Sequence, residues 1–209
     1  MLDRRVHRWF AQYWNRQLRS ENVQIKAMRR QTAGGAEGRV LEVGCGSGGN
    51  FEYYDSEVTL VASDPNPYML ELARARTSAG GPPVTFVRAQ AEALPFKDEA
   101  FDAVVSTANM CSVGEPVRAL AEIRRVVKSG GEYRFFDHVR YENGFGAFVQ
   151  DLLTPLHRRL LGAGCHLNRK TGNLVQEAGF SSTEIERLNP LPIFPMGVYR
   201  PHVKGIAKR

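Results

Sequence analysis

The residues with the clearest chemical use lie in and around a glycine-rich turn. From Arg39 to Gly49 the chain reads Arg-Val-Leu-Glu-Val-Gly-Cys-Gly-Ser-Gly-Gly, an apolar run that leads into four glycines. A second apolar run, from Val58 to Ser63, ends at Asp64. Glycine lets the backbone approach a ligand closely and adopt positive φ, and an acid after the second strand accepts hydrogen bonds from ribose hydroxyls. The pattern therefore predicts a strand, a turn and a second strand that bind an adenosine cofactor.

The spacing of the glycines and one nearby acid narrow the choice of cofactor. The glycines at 44, 46, 48 and 49 form the pattern G-x-G-x-G-G, whereas the dinucleotide pattern is G-x-G-x-x-G. Glu42 lies two residues before Gly44, where a carboxylate would repel a pyrophosphate and attract a cation. The sulfonium and amino groups of S-adenosylmethionine are both positive, so this cofactor is predicted. An NAD site or a plain glycine-rich hairpin is the alternative.

Strand-like and helix-like segments alternate along most of the chain. After a helical segment at 1–31 and a linker at 32–38, the predicted strands are Val40–Gly44, Val58–Ser63, Val84–Arg88, Phe101–Ser106, Glu132–Val139, Thr183–Leu188 and His202–Ala207. The predicted helices are Gly48–Tyr54, Pro67–Arg76, Glu115–Val127, Phe145–Leu161 and Thr171–Ala178. The alternation predicts an α/β fold with a Rossmann-like, doubly wound, mostly parallel sheet of seven strands, helices on both faces and the last strand antiparallel. Residues 1–38 are expected to form a helical lid and linker, and residues 39–209 the main domain.

Ligands of an open α/β sheet lie beyond the carboxyl ends of its strands, so the residues that follow each strand are the candidates for binding. The residues predicted to bind the cofactor are Glu42, Gly44, Cys45, Gly46, Asn50, Asp64, Pro65, Gln90, Ala91, Glu92, Asn109 and Met110. Two of them have an alternative role: Asp64 as the N-cap of the next helix, and Glu92 as a cap of the following turn. The residues predicted to bind the substrate are Trp9, Tyr13, Cys111 and His138.

The pair Asp137 and His138 is the best candidate for acid–base chemistry. Histidine titrates near neutrality and can take a proton from a nucleophile, and a thiol with a reference pKa near 8.5 needs little help to ionise. A histidine that is merely hydrogen-bonded in a loop is the alternative. Cys111 and Cys165 are expected to pack as small apolar residues rather than to act as nucleophiles.

Composition excludes several other classes of protein. The chain of 209 residues is 43% hydrophobic and 24% charged, with a net charge of +6, which indicates one globular domain. The basic residues are scattered and accompany no nucleic-acid module, so no specific nucleic-acid partner is predicted. The chain has three cysteines without metal-ligand spacing, which predicts no metal, no structural disulfide and a cytoplasmic location. A monomer is favoured.

Several segments together resemble a known family. They are the turn Leu-Glu-Val-Gly-Cys-Gly-Ser-Gly-Gly-Asn-Phe, then Asp-Pro-Asn-Pro, Cys111-Ser112-Val113, Phe-Phe-Asp-His-Val, and Val-Tyr-Arg-Pro-His-Val-Lys-Gly-Ile-Ala. The turn resembles the first motif of class I S-adenosylmethionine-dependent methyltransferases. The whole set, from about residue 39 to the C-terminus, resembles the methyltransferase-like seven family, which comprises the alkyl-thiol S-methyltransferases of microsomes and lipid droplets. The resemblance implies methylation of a thiol on a small, rather apolar molecule.

The chain departs from this family pattern at two places. The segment at 90–96, Gln-Ala-Glu-Ala-Leu-Pro-Phe, resembles a methyltransferase segment that begins with an acid bound to the adenine amino group, and Gln90 takes the place of that acid. The vertebrate members begin with a hydrophobic membrane anchor, whereas this sequence begins with a basic, aromatic helix. We therefore expect a relative without a membrane anchor, in which this helix and the helix at 145–161 form a lid over an apolar pocket.

Two further interpretations of the sequence stay open. The first is an O- or C-methyltransferase that acts on a quinone-like or polyketide molecule, since the segment Gln-Ala-Glu-Ala-Leu-Pro-Phe also occurs in such enzymes. A non-catalytic module that binds the cofactor or RNA is the second. By analogy alone, the favoured acceptor is the thiol of a secondary metabolite, methylated for detoxification or self-protection.

Overall fold

One sheet forms the centre of the protein. The computed structural model describes residues 4–142, 144–160, 164–192 and 197–209. Within these ranges the sheet has seven strands in the order β3-β2-β1-β4-β5-β7-β6. The strands are β1 Arg39–Val43, β2 Thr59–Ser63, β3 Val84–Val87, β4 Phe101–Thr107, β5 Val127–His138, β6 Ser182–Leu188 and β7 His202–Lys208.

The strand directions confirm the predicted fold class. Strands β1 to β5 pair in parallel, with Leu41 opposite Val61 and Val104. Strand β7 is antiparallel to both β5 and β6, so β6 runs in the same direction as β1 to β5. The order reverses at β1 and β4, which places the crevice for a ligand at the carboxyl ends of these two central strands.

The central strands are apolar because both of their faces are covered. On one face, Leu41 and Val104 pack with residues of the helix that precedes β5. On the other face, Val40 and Leu60 pack with Ala33 at the end of the N-terminal helices. Since side chains alternate along a strand, Glu42 of β1 points to the same face as Val40.

Six helices flank the sheet in the described part of the chain. They are α1 Arg4–Arg19, α2 Val23–Ala33, α3 Pro67–Arg74, α4 Pro116–Val126, α5 Gly144–Leu160 and α6 Thr171–Glu177. The N-terminal segment is therefore two helices rather than one, and Asn22 begins the second, since its Oδ1 accepts a hydrogen bond of 2.7 Å from the backbone N–H of Gln24. Helix α2 also takes in Thr32 and Ala33, which the sequence predicts as linker.

The prediction of a helix after the glycine turn is wrong. Residues Phe51–Tyr53 form only one 3-10 turn. Glycine makes helix formation costly, and Gly48 has a φ of +81°, which an α-helix does not accept. A Cβ on Gly49 would lie 2.9 Å from the Leu18 side chain, so α1 packs directly against this turn.

The start of β5 also differs from the prediction. The segment Ser129-Gly130-Gly131, which falls between the predicted helix Glu115–Val127 and the predicted strand Glu132–Val139, lies within β5. The register between β4 and β5 shifts between Phe101 and Ala103, and Gly130, with a φ of +78°, supplies the backbone conformation that this irregularity needs. The strand therefore begins directly after α4.

Truncating a leucine in the core should cost far more stability than truncating one at the surface. Leu120 is 1% exposed and Leu152 is 65% exposed. We expect Leu120→Ala to lower the free energy of unfolding by about 2–4 kcal/mol, because it leaves a cavity, and Leu152→Ala by less than about 0.5 kcal/mol. Urea unfolding of both variants measures the difference. Equal losses would contradict the described core.

Candidate active site

The glycine turn is held against the end of β2. The backbone N–H groups of Gly44 and Cys45 donate to the carbonyl of Ser63 at 2.8 and 2.9 Å. Gly44 has a φ of +70°, and a Cβ there would lie 2.3 Å from the Asn109 side chain. Gly46 has a φ of +54°, and a Cβ there would meet no atom within 4 Å. The turn therefore needs glycine at 44 for close packing, and at 46 it borders open space that a ligand can fill.

Asp64 lies at the base of this open space. Its carboxyl group is buried and accepts hydrogen bonds from the backbone N–H of Gly46 at 3.0 Å and of Asn66 at 2.8 Å. Burial raises the pKa of Asp64 to about 6, against the opposing effect of these two donors. The alternative role as N-cap of the next helix is wrong, because Asn66 caps α3 through its own Oδ1, which accepts from the backbone N–H of Tyr68.

Glu42 lies beneath the turn, and its carboxyl group is bonded within the protein. It is 1% exposed and accepts hydrogen bonds from Asn50 Nδ2 at 2.8 Å and from the Tyr54 hydroxyl at 3.0 Å. Burial raises the pKa of Glu42 to about 7, although these two donors and the charge of Arg29 lower it. The structure thus brings the predicted residues Glu42 and Asn50 together, and it adds Tyr54, which the sequence did not indicate.

Arg29 of α2 connects the N-terminal segment to this group. Its Nη1 donates to Asn50 Oδ1 at 3.0 Å and to Thr107 Oγ1 at 2.8 Å. Glu21 holds the same guanidinium by two hydrogen bonds of 2.8 and 2.9 Å. The sequence signals Arg29 only as part of a basic pair with Arg30, because nothing in the local pattern shows a partner 78 residues away.

The residues after β3 divide into two groups. Gln90 is exposed and Ala91 is buried, so Gln90 is free to meet a ligand beyond the sheet; Pro65, which follows β2, is exposed as well. Glu92 instead turns towards α4, where its Oε1 accepts from the backbone N–H groups of Gly114 at 3.0 Å and Glu115 at 3.2 Å. Of its two predicted roles, the cap of the turn is the one for which the structure supplies partners.

The residues after β4 also differ in their accessibility. Asn109 is partly exposed, and its Nδ2 donates to the carbonyl of Val43 at 3.1 Å, so it borders the glycine turn. Met110 is fully buried, and its backbone N–H donates to Asp137 Oδ2 at 3.1 Å. Asp137 is itself fully buried, and burial raises its pKa to about 6. Asp137 therefore orients the loop after β4 through backbone hydrogen bonds.

His138 and two cysteines form a buried group, which we term the thiol–imidazole cluster: Cys111, His138 and Cys165. Their ligating atoms all lie within 4.8 Å of one another. His138 Nε2 lies 3.1 Å from Cys165 Sγ. Its Nδ1 is buried and has no hydrogen-bond partner among the residues that the structure describes. Spacing in the sequence could not predict this cluster, because Cys165 comes from the connection after α5.

Aromatic residues lie beside the cluster. The Tyr199 ring packs edge-on against the His138 ring at 5.5 Å, and its hydroxyl lies 2.5 Å from His157 Nε2. Burial, and then the nearby Cys165 and Tyr13, raise the pKa of Tyr199. Tyr13 is thus linked to Tyr199 through electrostatics, and its ring contacts are with Trp9 and Trp14. Trp9 stacks on Tyr13 at 5.5 Å and is 53% exposed, so it lies at the outer side of this group.

Fold and site together define a class of protein. A parallel sheet carries a glycine turn with open space above it, a buried acid after β2 and a cluster of thiols and imidazole after β4 and β5. These features are those of an α/β enzyme that binds a nucleoside cofactor at the carboxyl edge of its sheet and acts on a second molecule beside it.

Comparison with known proteins identifies the family. Residues 41–135 match the family model of a methyltransferase domain. Thiol S-methyltransferase TMT1B of Homo sapiens is 34% identical over 201 residues, which are 92% of this chain and 80% of that protein. Thiol S-methyltransferase TMT1A of Homo sapiens is 32% identical over 205 residues, 95% of this chain and 82% of that protein. A solved S-adenosylmethionine-dependent methyltransferase of Thermotoga maritima, a possible histamine N-methyltransferase, has the same fold, with a TM-score of 0.68, 22% identity, and coverage of 98% of this chain and 99% of that one.

The chain belongs to the family of S-adenosylmethionine-dependent methyltransferases that includes TMT1A and TMT1B. This result confirms the predicted enzyme class and excludes the NAD site and the non-catalytic module. The cofactor implied by the family fits the site, because Gly46 borders open space and Asp64 places a buried carboxyl group beside it. In the described ranges, no helix combines the length and the apolar character needed to cross a membrane.

Replacing Glu42 should change how stability depends on pH. Burial raises its pKa from 4.5 to about 7, so the folded protein keeps a proton that the unfolded chain loses near pH 4.5. The free energy of unfolding should therefore fall as the pH rises from about 4.5 to 7. The fall attributable to this group is about 3 kcal/mol, and Glu42→Gln should remove it. Urea unfolding at several pH values measures the effect.

Glu57→Gln, which replaces an exposed glutamate of the loop before β2, is the matched control and should follow the wild-type curve. Asp64 and Asp137 are present in all three proteins, and the charge of Asp64 is the smallest of the five causes that shift the pKa of Glu42, so the comparison isolates mainly Glu42. Parallel curves for the wild type and Glu42→Gln would show that Glu42 is not the group responsible.

Proposed function

We propose that this enzyme transfers the methyl group of S-adenosylmethionine to the thiol of a small, apolar molecule. The observation that carries the proposal is the thiol–imidazole cluster beside the cofactor turn. Cys111 follows Asn109 by two residues. The Asn109 side chain donates to the carbonyl of Val43 and lies directly beside Gly44. The names of the relatives TMT1A and TMT1B agree with a thiol acceptor.

The residues proposed to hold the cofactor follow the edge of the sheet. Asp64 accepts hydrogen bonds from the ribose hydroxyls, and the turn from Gly44 to Gly46 lies against the rest of the nucleoside. Gln90 meets the adenine amino group through its side-chain oxygen. Glu42 and Asn50 lie beneath the turn, towards the amino-acid end, where a positive group of the cofactor would favour the ionised form of the Glu42 carboxyl group. Bound in this way, the cofactor supplies an electrophilic methyl group on a sulfonium.

The acceptor is proposed to lie on the side of the thiol–imidazole cluster. Helix α5 exposes an apolar stripe made of Phe148, Leu152 and Leu156, and Tyr13 of α1 comes near Tyr199 beside the cluster. Apolar side chains around an opening favour an apolar acceptor, and the removal of water strengthens the electrostatic interactions at the reacting atoms. We therefore keep α1 and α5 as the proposed lid, with Trp9 at its outer side.

A thiol reacts as the thiolate, so the site has to take away the proton of the acceptor. We propose that this happens at His138. Its Nε2 lies within hydrogen-bond distance of the sulfur of Cys165, so the imidazole can form a hydrogen bond with a thiol. Asp137 accepts hydrogen bonds from backbone N–H groups of the loop after β4. It acts through this loop and is therefore a positioning residue. A monomer in the cytoplasm is the proposed state of the enzyme.

The class of acceptor that the enzyme methylates tests this proposal directly. Labelled S-adenosylmethionine is incubated with the enzyme and with matched pairs of aryl thiols and phenols, together with catechols and quinols. We expect label in the thioether products, and faster transfer to the more apolar thiols, because the methyl group meets a thiolate in an apolar site. Transfer to phenols or quinols alone would overturn the thiol proposal in favour of O- or C-methylation.

Asp64 should control the affinity for the cofactor. Hydrogen bonds to a charged group contribute about 1.5–3 kcal/mol, so we expect Asp64→Asn to weaken the binding of S-adenosylmethionine by about ten- to a hundredfold. Isothermal titration calorimetry measures this. Asp98→Asn is the matched control, because Asp98 is 72% exposed and pairs with Arg125 away from the turn. Unchanged affinity in Asp64→Asn would remove Asp64 from the site.

A further inference from the structure

The composition of the thiol–imidazole cluster has a second implication. We propose that Cys111, His138 and Cys165 bind a zinc-like divalent cation, whose fourth coordination position takes the thiol of the acceptor. Thiolate and imidazole ligands are the set that zinc prefers, and catalytic zinc sites use three protein ligands with one open position. The inference rests on the proposed thiol methylation, and it changes how the acceptor thiol is ionised: the cation, and not His138 acting as a base, removes the proton.

The geometry of the cluster is close to that of a metal site. His138 Nε2 and Cys165 Sγ are 3.1 Å apart, and all three ligating atoms lie within 4.8 Å of one another. Around tetrahedral zinc, with Zn–S near 2.3 Å and Zn–N near 2.0–2.1 Å, ligating atoms lie about 3.3–3.8 Å apart. The one separation of 3.1 Å is slightly shorter than this range and no separation exceeds 4.8 Å, so adjustment of the side chains is what the site would need to close around the ion.

The backbone keeps the two cysteines close to each other. The N–H of His166 donates to the carbonyl of Cys111 at 2.8 Å, and the loop of Cys111 is held by Asp137. His138 is the last residue of β5. The three ligands therefore come from three separate segments of the chain that are tied together by hydrogen bonds, which is the preorganisation that a metal site requires.

The surroundings of the cluster agree with a bound cation. Cys111, His138 and Cys165 are 2%, 6% and 6% exposed, so the three ligands are shielded from water. His138 would ligate through Nε2, and its Nδ1 has no hydrogen-bond partner among the described residues. Two thiolate ligands carry the negative charge that balances a divalent cation.

The cation supplies the ionisation that the reaction needs. The acceptor thiol binds at the open position and releases its proton to solvent, because coordination to zinc deprotonates a thiol. The sulfur then forms a bond to the methyl carbon as the bond between that carbon and the sulfonium breaks, and the electron pair of the broken bond stays on the cofactor sulfur. The product thioether is neutral and a weak ligand, so it leaves. His138 serves in this scheme as a ligand, through Nε2.

Cobalt binding by the purified full chain, freed of metal by a chelator and kept reduced, tests the inference. Tetrahedral Co²⁺ with thiolate ligands has strong visible and near-ultraviolet absorption, so a titration reports both stoichiometry and ligand type. We expect one Co²⁺ per chain, displaced by Zn²⁺, and at least about tenfold weaker binding in Cys111→Ser, Cys165→Ser and His138→Gln. Cys45→Ser, which alters the buried cysteine outside the cluster, is the matched control and should bind Co²⁺ as the wild type does.

Binding of a thiol at the fourth coordination position can be measured from the Co²⁺ spectrum. Benzenethiol should change the Co²⁺ spectrum of the wild-type protein, and phenol should leave it unchanged. Absence of thiolate–cobalt absorption, or equal binding in Cys165→Ser with its fold verified by circular dichroism, would overturn the inference. If thiols are methylated equally well with the metal removed, the inference fails and the proposed function stands. If Co²⁺ binds and benzenethiol leaves its spectrum unchanged, the assigned role of the fourth position fails.

Discussion

A buried carboxyl group at the end of the central strand is the constraint on which the rest of the site depends. Glu42 cannot remain there without donors, since a charged or polar group removed from water is costly unless it is hydrogen-bonded. Asn50 and Tyr54 supply those donors, and so the turn after β1 has to come back over the strand. Arg29 then ties α2 to the same group. One burial requirement thus links the N-terminal helices, the glycine turn and β4.

The opposite side of the cofactor crevice is built around a second buried acid. Asp137 at the end of β5 holds the backbone of Met110 and Cys111, and so the loop after β4 is fixed beside the glycine turn. His138 follows it and meets Cys165. Glu42 and Asp137 thus hold the loops on the two sides of the crevice, and in the proposed function the first side serves the cofactor and the second side faces the acceptor.

Much of this arrangement was predictable, and the failures have physical causes. The strands and the role of the turn follow from apolar runs that end in glycine or an acid, and these are local patterns. The prediction of a helix at Gly48–Tyr54 failed because Gly48 has a positive φ and Gly49 lies against the Leu18 side chain, and both hold the backbone in the turn. Asn66 and not Asp64 caps α3, because Asp64 also accepts a hydrogen bond from the backbone N–H of Gly46 in the turn.

The sequence by itself determined the fold class and the enzyme class and placed a glycine turn after the first strand, because each of these depends on patterns among residues that are close in the chain. Only the tertiary structure decided which side chains share a hydrogen bond across long stretches of chain. Arg29 reaches Thr107, and Cys165 reaches His138. Such pairs leave no periodic trace in the sequence, since their distance is set by how the strands and crossovers pack. The chemistry proposed for the acceptor lies in these long-range contacts.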